Sequence, residues 1–245
     1  MLLGLAVTDV ALRAAAALHA GAVLIEPSFL CNAELDAARG AAATLNARFA
    51  SHAAVAGIHS VDSSIRDCET LDLLENQVWA RLPSGLGRIV AKLDDLRGEL
   101  ALSTGRPLLE STELQLLTYT RQGGHYVRHV DEGPTNMGER SVRRSISLLL
   151  YLTPDDWRQT PDGGMLRIHP TSMSNRVRAH CRRPGEFEGT MCIDETISDA
   201  AIDVLPAAGT LVLFDSSTIP HEVLPTARER SVVVGWLLEK HELRS

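Results

Sequence analysis

From about residue 112 onward the chain breaks into short apolar or alternating runs, separated by clusters of Gly, Pro, Asp and Asn. The runs are LQLLTY (114–119), HYVRHV (125–130), SISLLLYL (145–152), GMLRIH (164–169), TLVLF (210–214) and SVVVGWLL (231–238). Successive side chains of a strand point to opposite faces of its sheet. Many short strands with turn residues between them predict a sandwich, barrel or jelly roll.

The first hundred residues read mainly as helix. Leu35, Ala38, Ala42, Leu45 and Phe49 recur at helical spacing, as do Ile89, Val90, Leu93, Leu96 and Leu100; each set forms one apolar face. GAVLIE (21–26) reads as a short strand, and residues 50–70 as a loop or hairpin. Residues 170–202 resist assignment and are expected to be a long insertion. It holds Arg176, Arg178, His180, Arg182 and Arg183, then Glu186, Glu188, Asp194 and Glu195. A solvated loop of mixed charge is the plain reading, and recognition of an acidic partner by its basic half is the other. The expected organisation is one catalytic domain over 1–245, with a helix-rich support region (1–110) and a β core (111–240).

Composition narrows the function classes. The 245 residues are 44% hydrophobic with a net charge of -7, which excludes disorder and collagen-like or disulfide scaffolds. An acidic balance gives no basic footprint for nucleic acid. Cys31, Cys68, Cys181 and Cys192 form no CxxC pair and read as reduced thiols. A Cys181–Cys192 bridge, or zinc held with His180, stays open. The apolar start MLLGLAV lacks a basic n-region and is interrupted by Asp9 and Arg13. The uncharged stretch from Ala14 to Ile25 has 12 residues, short of the roughly 20 a membrane span needs. A cytoplasmic protein, also nuclear in a eukaryote, with no membrane or nucleic-acid partner is expected. Aromatics are few, yet all three tyrosines, Tyr119, Tyr126 and Tyr151, fall between residues 119 and 151.

Chemistry enters with His129-Val130-Asp131. On a strand, residues i and i+2 share a face, so an imidazole and a carboxylate lie side by side. This is two thirds of the 2-His-1-carboxylate triad that holds non-haem Fe(II). His221, in IPHEVLP after the TLVLF run, is the best candidate for the third ligand. Arg230 opens the run RSVVVGW, where alternation groups it with Val232, Val234 and Trp236. An arginine facing the inside of a barrel is costly unless an anion meets it. A dicarboxylate gripped by the guanidinium fork would meet it.

Tyr119, Tyr126, His129-x-Asp131, Arg144, Tyr151-Leu152, Gly163-Gly164-x-Leu166, His221-Glu222-Val223-x-Pro225, Arg230 and Trp236 together resemble the prolyl 4-hydroxylase group of 2-oxoglutarate/Fe(II) dioxygenases. Within that group the pattern is most similar to the hypoxia-inducible-factor prolyl hydroxylases and their microbial relatives. YVRHVD (126–131), GGMLRIHP (163–170) and HEVLP (221–225) carry most of the likeness, which spans about residues 114–238.

The resemblance implies a double-stranded β-helix, a jelly roll with N-terminal helices packed on one sheet. It implies Fe(II) held by His129, Asp131 and His221, with 2-oxoglutarate and O₂ as co-substrates and ascorbate as reductant. Arg230 would pair with the distal carboxylate of 2-oxoglutarate, Tyr151 would donate a hydrogen bond to it, and Tyr119 would line the pocket. Ser145, Ser147 and Leu149 share a strand face with Tyr151 and are expected to line the pocket too. Arg144 and Trp236 would lie at the mouth, where the family grips its peptide. The family's mobile loop carries Ile-Arg-Gly-Asp; Ile65-Arg66-Asp67 matches it in part, making Arg66 a candidate substrate contact. The implied reaction hydroxylates a prolyl residue of a protein or peptide and yields succinate and CO₂. Another peptidyl residue, a small molecule, or a non-catalytic jelly-roll sensor are the alternatives. Arg228 and Arg230 lie only two apart, unlike the nucleic-acid demethylase branch, and Arg230 stands where the procollagen branch has lysine. His125 is expected at the rim and His169 exposed at a strand end. Tyr126 stays between a packing and a pocket role.

Overall fold

The computed structural model describes residues 2–49, 51–52, 62–119, 123–132, 142–171, 176–184 and 191–240. In chain order the elements are α1 (Leu2–His19), β1 (Val23–Glu26), α2 (Asn32–Phe49), β2 (Ser51–His52), β3 (Glu69–Asp72), α3 (Asn76–Trp79), α4 (Ser84–Thr104), β4 (Leu108–Tyr119), β5 (Tyr126–His129), β6 (Val142–Tyr151), α5 (Gln159–Asp162), β7 (Leu166–Ile168), β8 (Val177–Pro184), β9 (Met191–Ser198), β10 (Ile202–Val204), β11 (Leu211–Asp215), β12 (His221–Val223) and β13 (Arg230–Lys240). No helix among the described residues is long and apolar enough to cross a membrane.

Two sheets share one interior. The larger has the order β2-β3-β4-β13-β6-β11-β1-β8-β9, and the smaller β10-β7-β12-β5. Period-two alternation decides which side chains go where. On β6, Ile146, Leu148 and Leu150 pack outward with the helices, while Leu149 and Tyr151 face the second sheet. On β11, Leu211 and Leu213 go to the helices, and Val212 and Phe214 go inside. On β13, Val233 and Leu237 face the helices, and Val232, Val234 and Trp236 face inward. The arrangement is the jelly roll expected, with the helices on one sheet.

The helical layer is tied down from both sides. Leu86, Ile89, Leu93, Leu96 and Leu100 of α4 are buried against the large sheet. A Cβ on Gly85 would sit 2.1 Å from the Ala37 carbonyl oxygen, so glycine is what lets α4 approach α2 closely. The Arg13 guanidinium of α1 donates to Glu26 Oε2 at 2.8 and 3.1 Å, neutralising a carboxylate buried at the end of β1.

Two strands lie within the segment 170–202 that is expected to be a long insertion. Strands β8 and β9 form an antiparallel hairpin, and β8 adds parallel to β1, pairing Val23 with Ala179 and Ile25 with Cys181. Val177 and Ala179 are buried, which is the apolar strand face that the surrounding charges hid. Within this hairpin His180 lies 3.5 Å from Glu195, and Cys181 is in no disulfide among the described residues. The Cys192 side chain, and with it the bridge and zinc readings, lies outside the described residues, as do Glu186 and Glu188.

Candidate metal and co-substrate centre

His129 closes β5, Asp131 follows two residues on, and His221 opens β12 directly opposite His129. The ligand atoms of the three lie within 4.8 Å of one another, the only such His/Cys/Asp/Glu group among the described residues. Nε2 of His129 is 3.5 Å from Asp131 Oδ1, and Nε2 of His221 is 3.8 Å from Oδ2. Each imidazole is oriented by its other nitrogen: Nδ1 of His129 meets the Val127 carbonyl at 2.8 Å, and Nδ1 of His221 meets that of Ile219 at 3.0 Å. A carbonyl only accepts, so both Nδ1 atoms carry the proton and both Nε2 atoms present lone pairs. In the neutral form of each ring a nitrogen lone pair therefore turns toward the Asp131 carboxylate. Such a cluster calls for a cation, and its donor set fits Fe(II).

The protonation states agree. Burial would raise the Asp131 carboxyl, but His221, His129 and the Ser147 hydroxyl hold it far below the usual carboxylate range. Burial, helped by His129 and opposed by Asp131, pushes the His221 imidazole down to about 4. A metal therefore meets an ionised carboxylate and a neutral imidazole at neutral pH, and binding needs no proton released from them. The same shift makes a stability prediction for the metal-free protein. In the unfolded chain His221 takes up a proton near pH 6.5; in the folded chain it does so only near 4. Stability should therefore fall as pH drops through this window, by about 2 kcal/mol between pH 7 and pH 5. Denaturant melts at the two pH values test this, with His221→Gln protein expected to lose the dependence.

A β-bulge makes a contact that strict alternation forbids. His221 pairs with His129 and Val223 with Tyr126, so Val127 and Arg128 of β5 together oppose the single Glu222 of β12. The extra residue turns Tyr126 toward His129, and the rings stack at 3.6 Å between centroids. Tyr126 thus buttresses a candidate ligand, a role that period-two reasoning could not assign.

Deeper in the barrel lies a second set of polar groups. Arg230 is wholly buried, and among the described residues its Nε, Nη1 and Nη2 have no hydrogen-bond partner; nor has the buried Tyr151 hydroxyl. The guanidinium sits over the rings of Tyr119 and Tyr151, at 4.9 and 5.0 Å. Burial raises the phenol of Tyr151, so it stays protonated and able to donate. A buried cation and a donor aimed into the same interior fit a carboxylate. The Gly163-Gly164 turn packs beside the Arg230 side chain. Both glycines have positive φ, and a Cβ on Gly164 would lie 3.0 Å from Arg230 Cδ, so a larger residue there would displace the guanidinium.

The remaining candidates fall into place around these two sets. Leu149 packs in the interior cluster with Tyr119 and Tyr151. Ser147, expected in the co-substrate pocket, donates to Asp131 Oδ2 at 2.5 Å. Ser145 donates to Glu239 at 2.7 Å. The Arg144 guanidinium lies 3.7 Å above the Trp236 ring and is paired with Glu113; Glu113 has no counterpart in the sequence reading. Trp236 is buried, with its indole N–H unpartnered. Arg66 is not on an open loop. It bridges Tyr126 in the backbone, with Val127 N–H donating to the Ile65 carbonyl at 2.9 Å, and its guanidinium sits 4.9 Å over the Tyr126 ring. His125 accepts no ligand role: its ring nitrogens meet the Gly123 and Ser64 carbonyls. His169 is half-buried and not exposed, because Glu222 on neighbouring β12 holds its Nε2 at 3.0 Å.

Comparison with known proteins agrees with this geometry. The family model described as the 2OG-Fe(II) oxygenase superfamily matches residues 114–238. The chain belongs to this superfamily. That places it among the Fe(II)- and 2-oxoglutarate-dependent dioxygenases. A hypoxia-inducible factor prolyl hydroxylase of Caenorhabditis elegans is 31% identical over 129 residues, which are 52% of this chain and 13% of the relative. Among solved structures, a Trichoplax adhaerens prolyl hydroxylase in complex with a hypoxia-inducible factor peptide aligns with a TM-score of 0.74 and 18% identity, over 95% of this chain and 90% of that one. A Pseudomonas putida prolyl-4-hydroxylase aligns with a TM-score of 0.68 and 25% identity, over 92% and 97%.

Proposed function

We propose that the protein hydroxylates a prolyl residue in a protein or peptide, converting 2-oxoglutarate and O₂ to succinate and CO₂. The observation that carries the reading is the pairing of two sets of groups in one barrel: the lone-pair cluster of His129, Asp131 and His221, and the unpartnered Arg230 with Tyr151. When bound, Fe(II) and 2-oxoglutarate supply the oxidising chemistry, and the protein supplies orientation and seclusion. His129, Asp131 and His221 would hold the metal. Arg230 would grip the distal carboxylate, Tyr151 would donate to it, and Tyr119 and Leu149 would wall the pocket against water. Arg144 and Trp236 form a cationic-aromatic pair at the metal end of β6 and β13, and Arg66 buttresses the opposite side. These three are the proposed substrate-facing residues. Ascorbate is the proposed reductant for the iron.

The prolyl assignment is supported by the prolyl hydroxylase relatives and by YVRHVD, GGMLRIHP and HEVLP. The triad itself is indifferent to the outer substrate. Purified protein with Fe(II), ascorbate and 2-oxoglutarate should release succinate and add one oxygen to proline in a peptide library. Oxygenation of another residue or of a free metabolite, with proline untouched, would overturn the prolyl reading. Tyr151→Phe should raise the KM for 2-oxoglutarate roughly tenfold, the worth of one hydrogen bond to a charged group, with the melting curve unchanged. An unaltered KM would return Tyr151 to packing.

A further inference from the structure

Two buried serines lie behind the triad, Ser147 against Asp131 and Ser216 behind Ser147. Ser147 lies on β6 and Ser216 just after β11, and both are wholly inaccessible. Ser147 Oγ is 2.5 Å from Asp131 Oδ2 and 2.8 Å from Ser216 Oγ. Proton counting orients the chain. An ionised Asp131 can only accept, so the single Ser147 proton goes to it. Ser147 must then accept from Ser216, whose hydroxyl donates. The direction is Ser216 to Ser147 to Asp131.

The backbone fixes both ends of this chain. Ser216 N–H donates to the Ser145 carbonyl at 3.2 Å, and Glu132 N–H donates to the Ser216 carbonyl at 3.0 Å. Ser216 therefore clamps the residue after Asp131 to the strand that carries Ser147. The turn that follows is held in its own right: Asp215 accepts from Ser217 N–H and Oγ, and from the Arg106 guanidinium at 2.8 Å. Two wholly buried hydroxyls cost free energy unless they are satisfied. Here they satisfy each other and the carboxylate.

We propose that Ser147 and Ser216 form a hydroxyl relay that positions Asp131 for the metal, Ser147 acting directly and Ser216 through it. The relay engages Oδ2 before any metal arrives, so the carboxylate meets the cation already oriented. The inference rests on the metal reading given above and extends it to two residues outside the triad. Outer-sphere partners of this kind typically change metal affinity by about 10–100-fold.

Mn(II) alone is the probe, its free concentration read by electron paramagnetic resonance in the absence of O₂ and 2-oxoglutarate. Ser147→Ala should weaken Mn(II) binding by roughly 10–100-fold and Ser216→Ala by a smaller factor of about three. The double variant should bind like Ser147→Ala, because the Ser216 effect has no other route to Asp131. Wild-type affinity in Ser147→Ala, or full additivity in the double variant, would overturn the relay. If Ser147→Ala does not fold, Ser216→Ala decides alone, and unchanged affinity there counts against the proposal. Absence of Mn(II) binding by the wild-type protein would instead overturn the metal reading.

Discussion

Arg230→Met protein is expected to lose its grip on 2-oxoglutarate while remaining folded. Arg230 is wholly buried, and its three guanidinium nitrogens have no hydrogen-bond partner among the described residues. Removing one member of a buried ion pair costs about 3–5 kcal/mol, so the KM for 2-oxoglutarate should rise by about two to three orders of magnitude. The stability change should run the other way. A buried guanidinium without an anion is unfavourable, and methionine fills similar volume without that penalty. The metal-free, 2-oxoglutarate-free variant should therefore melt at or above the wild-type temperature. Arg230→Lys separates charge from geometry, because lysine keeps the charge but not the planar fork. Its KM should lie between the two. A variant that melts early and binds 2-oxoglutarate normally would show that Arg230 is a packing residue.

Asp131→Ala should have the larger effect on turnover. It removes the one negative ligand of the triad and leaves the Ser147 hydroxyl without its acceptor. Succinate release should fall by at least about a thousandfold, equivalent to some 4 kcal/mol. Loss of a buried, paired carboxylate also deprives His221 of the charge that opposes the effect of its burial. Metal affinity and 2-oxoglutarate turnover should thus fail together, whereas Arg230→Met should spare Mn(II) binding. That difference separates the two sets of groups.

Much of this arrangement is legible in the residues, and the exceptions have physical causes. The strands of the core announce themselves because they are buried on both faces, so LQLLTY, SISLLLYL and SVVVGWLL stand out as short, near-continuous apolar runs. Strand β12 does not, since three residues are too few for a period, although it carries His221. Strands β8 and β9 escape because the buried Val177 and Ala179 are interleaved with Arg176, Arg178 and His180. Within the centre, His129, Asp131, His221 and Arg230 can be found because strand geometry and charge make demands that few residue types meet. The Tyr126–His129 stack cannot, because a bulge in β5 reverses the expected side. Ser147 shows the opposite limit. Alternation places it on the inner face, yet only its distance from Asp131 reveals that it serves the carboxylate. Ser216 and Glu113 carry no sequence signal, since their partners lie 69 and 31 residues away.

The central claim is that the His129, Asp131 and His221 cluster and the Arg230–Tyr151 pocket form one Fe(II)/2-oxoglutarate centre. Anaerobic titration with Fe(II) and 2-oxoglutarate tests it most directly, read by the visible charge-transfer absorption of a 2-oxo acid chelated to ferrous iron. Wild-type protein should develop the band at one equivalent of each. Asp131→Ala protein should not develop it, and Arg230→Met protein should need far more 2-oxoglutarate to do so. A wild-type protein with no band, or an Asp131→Ala protein that keeps it, would contradict the account.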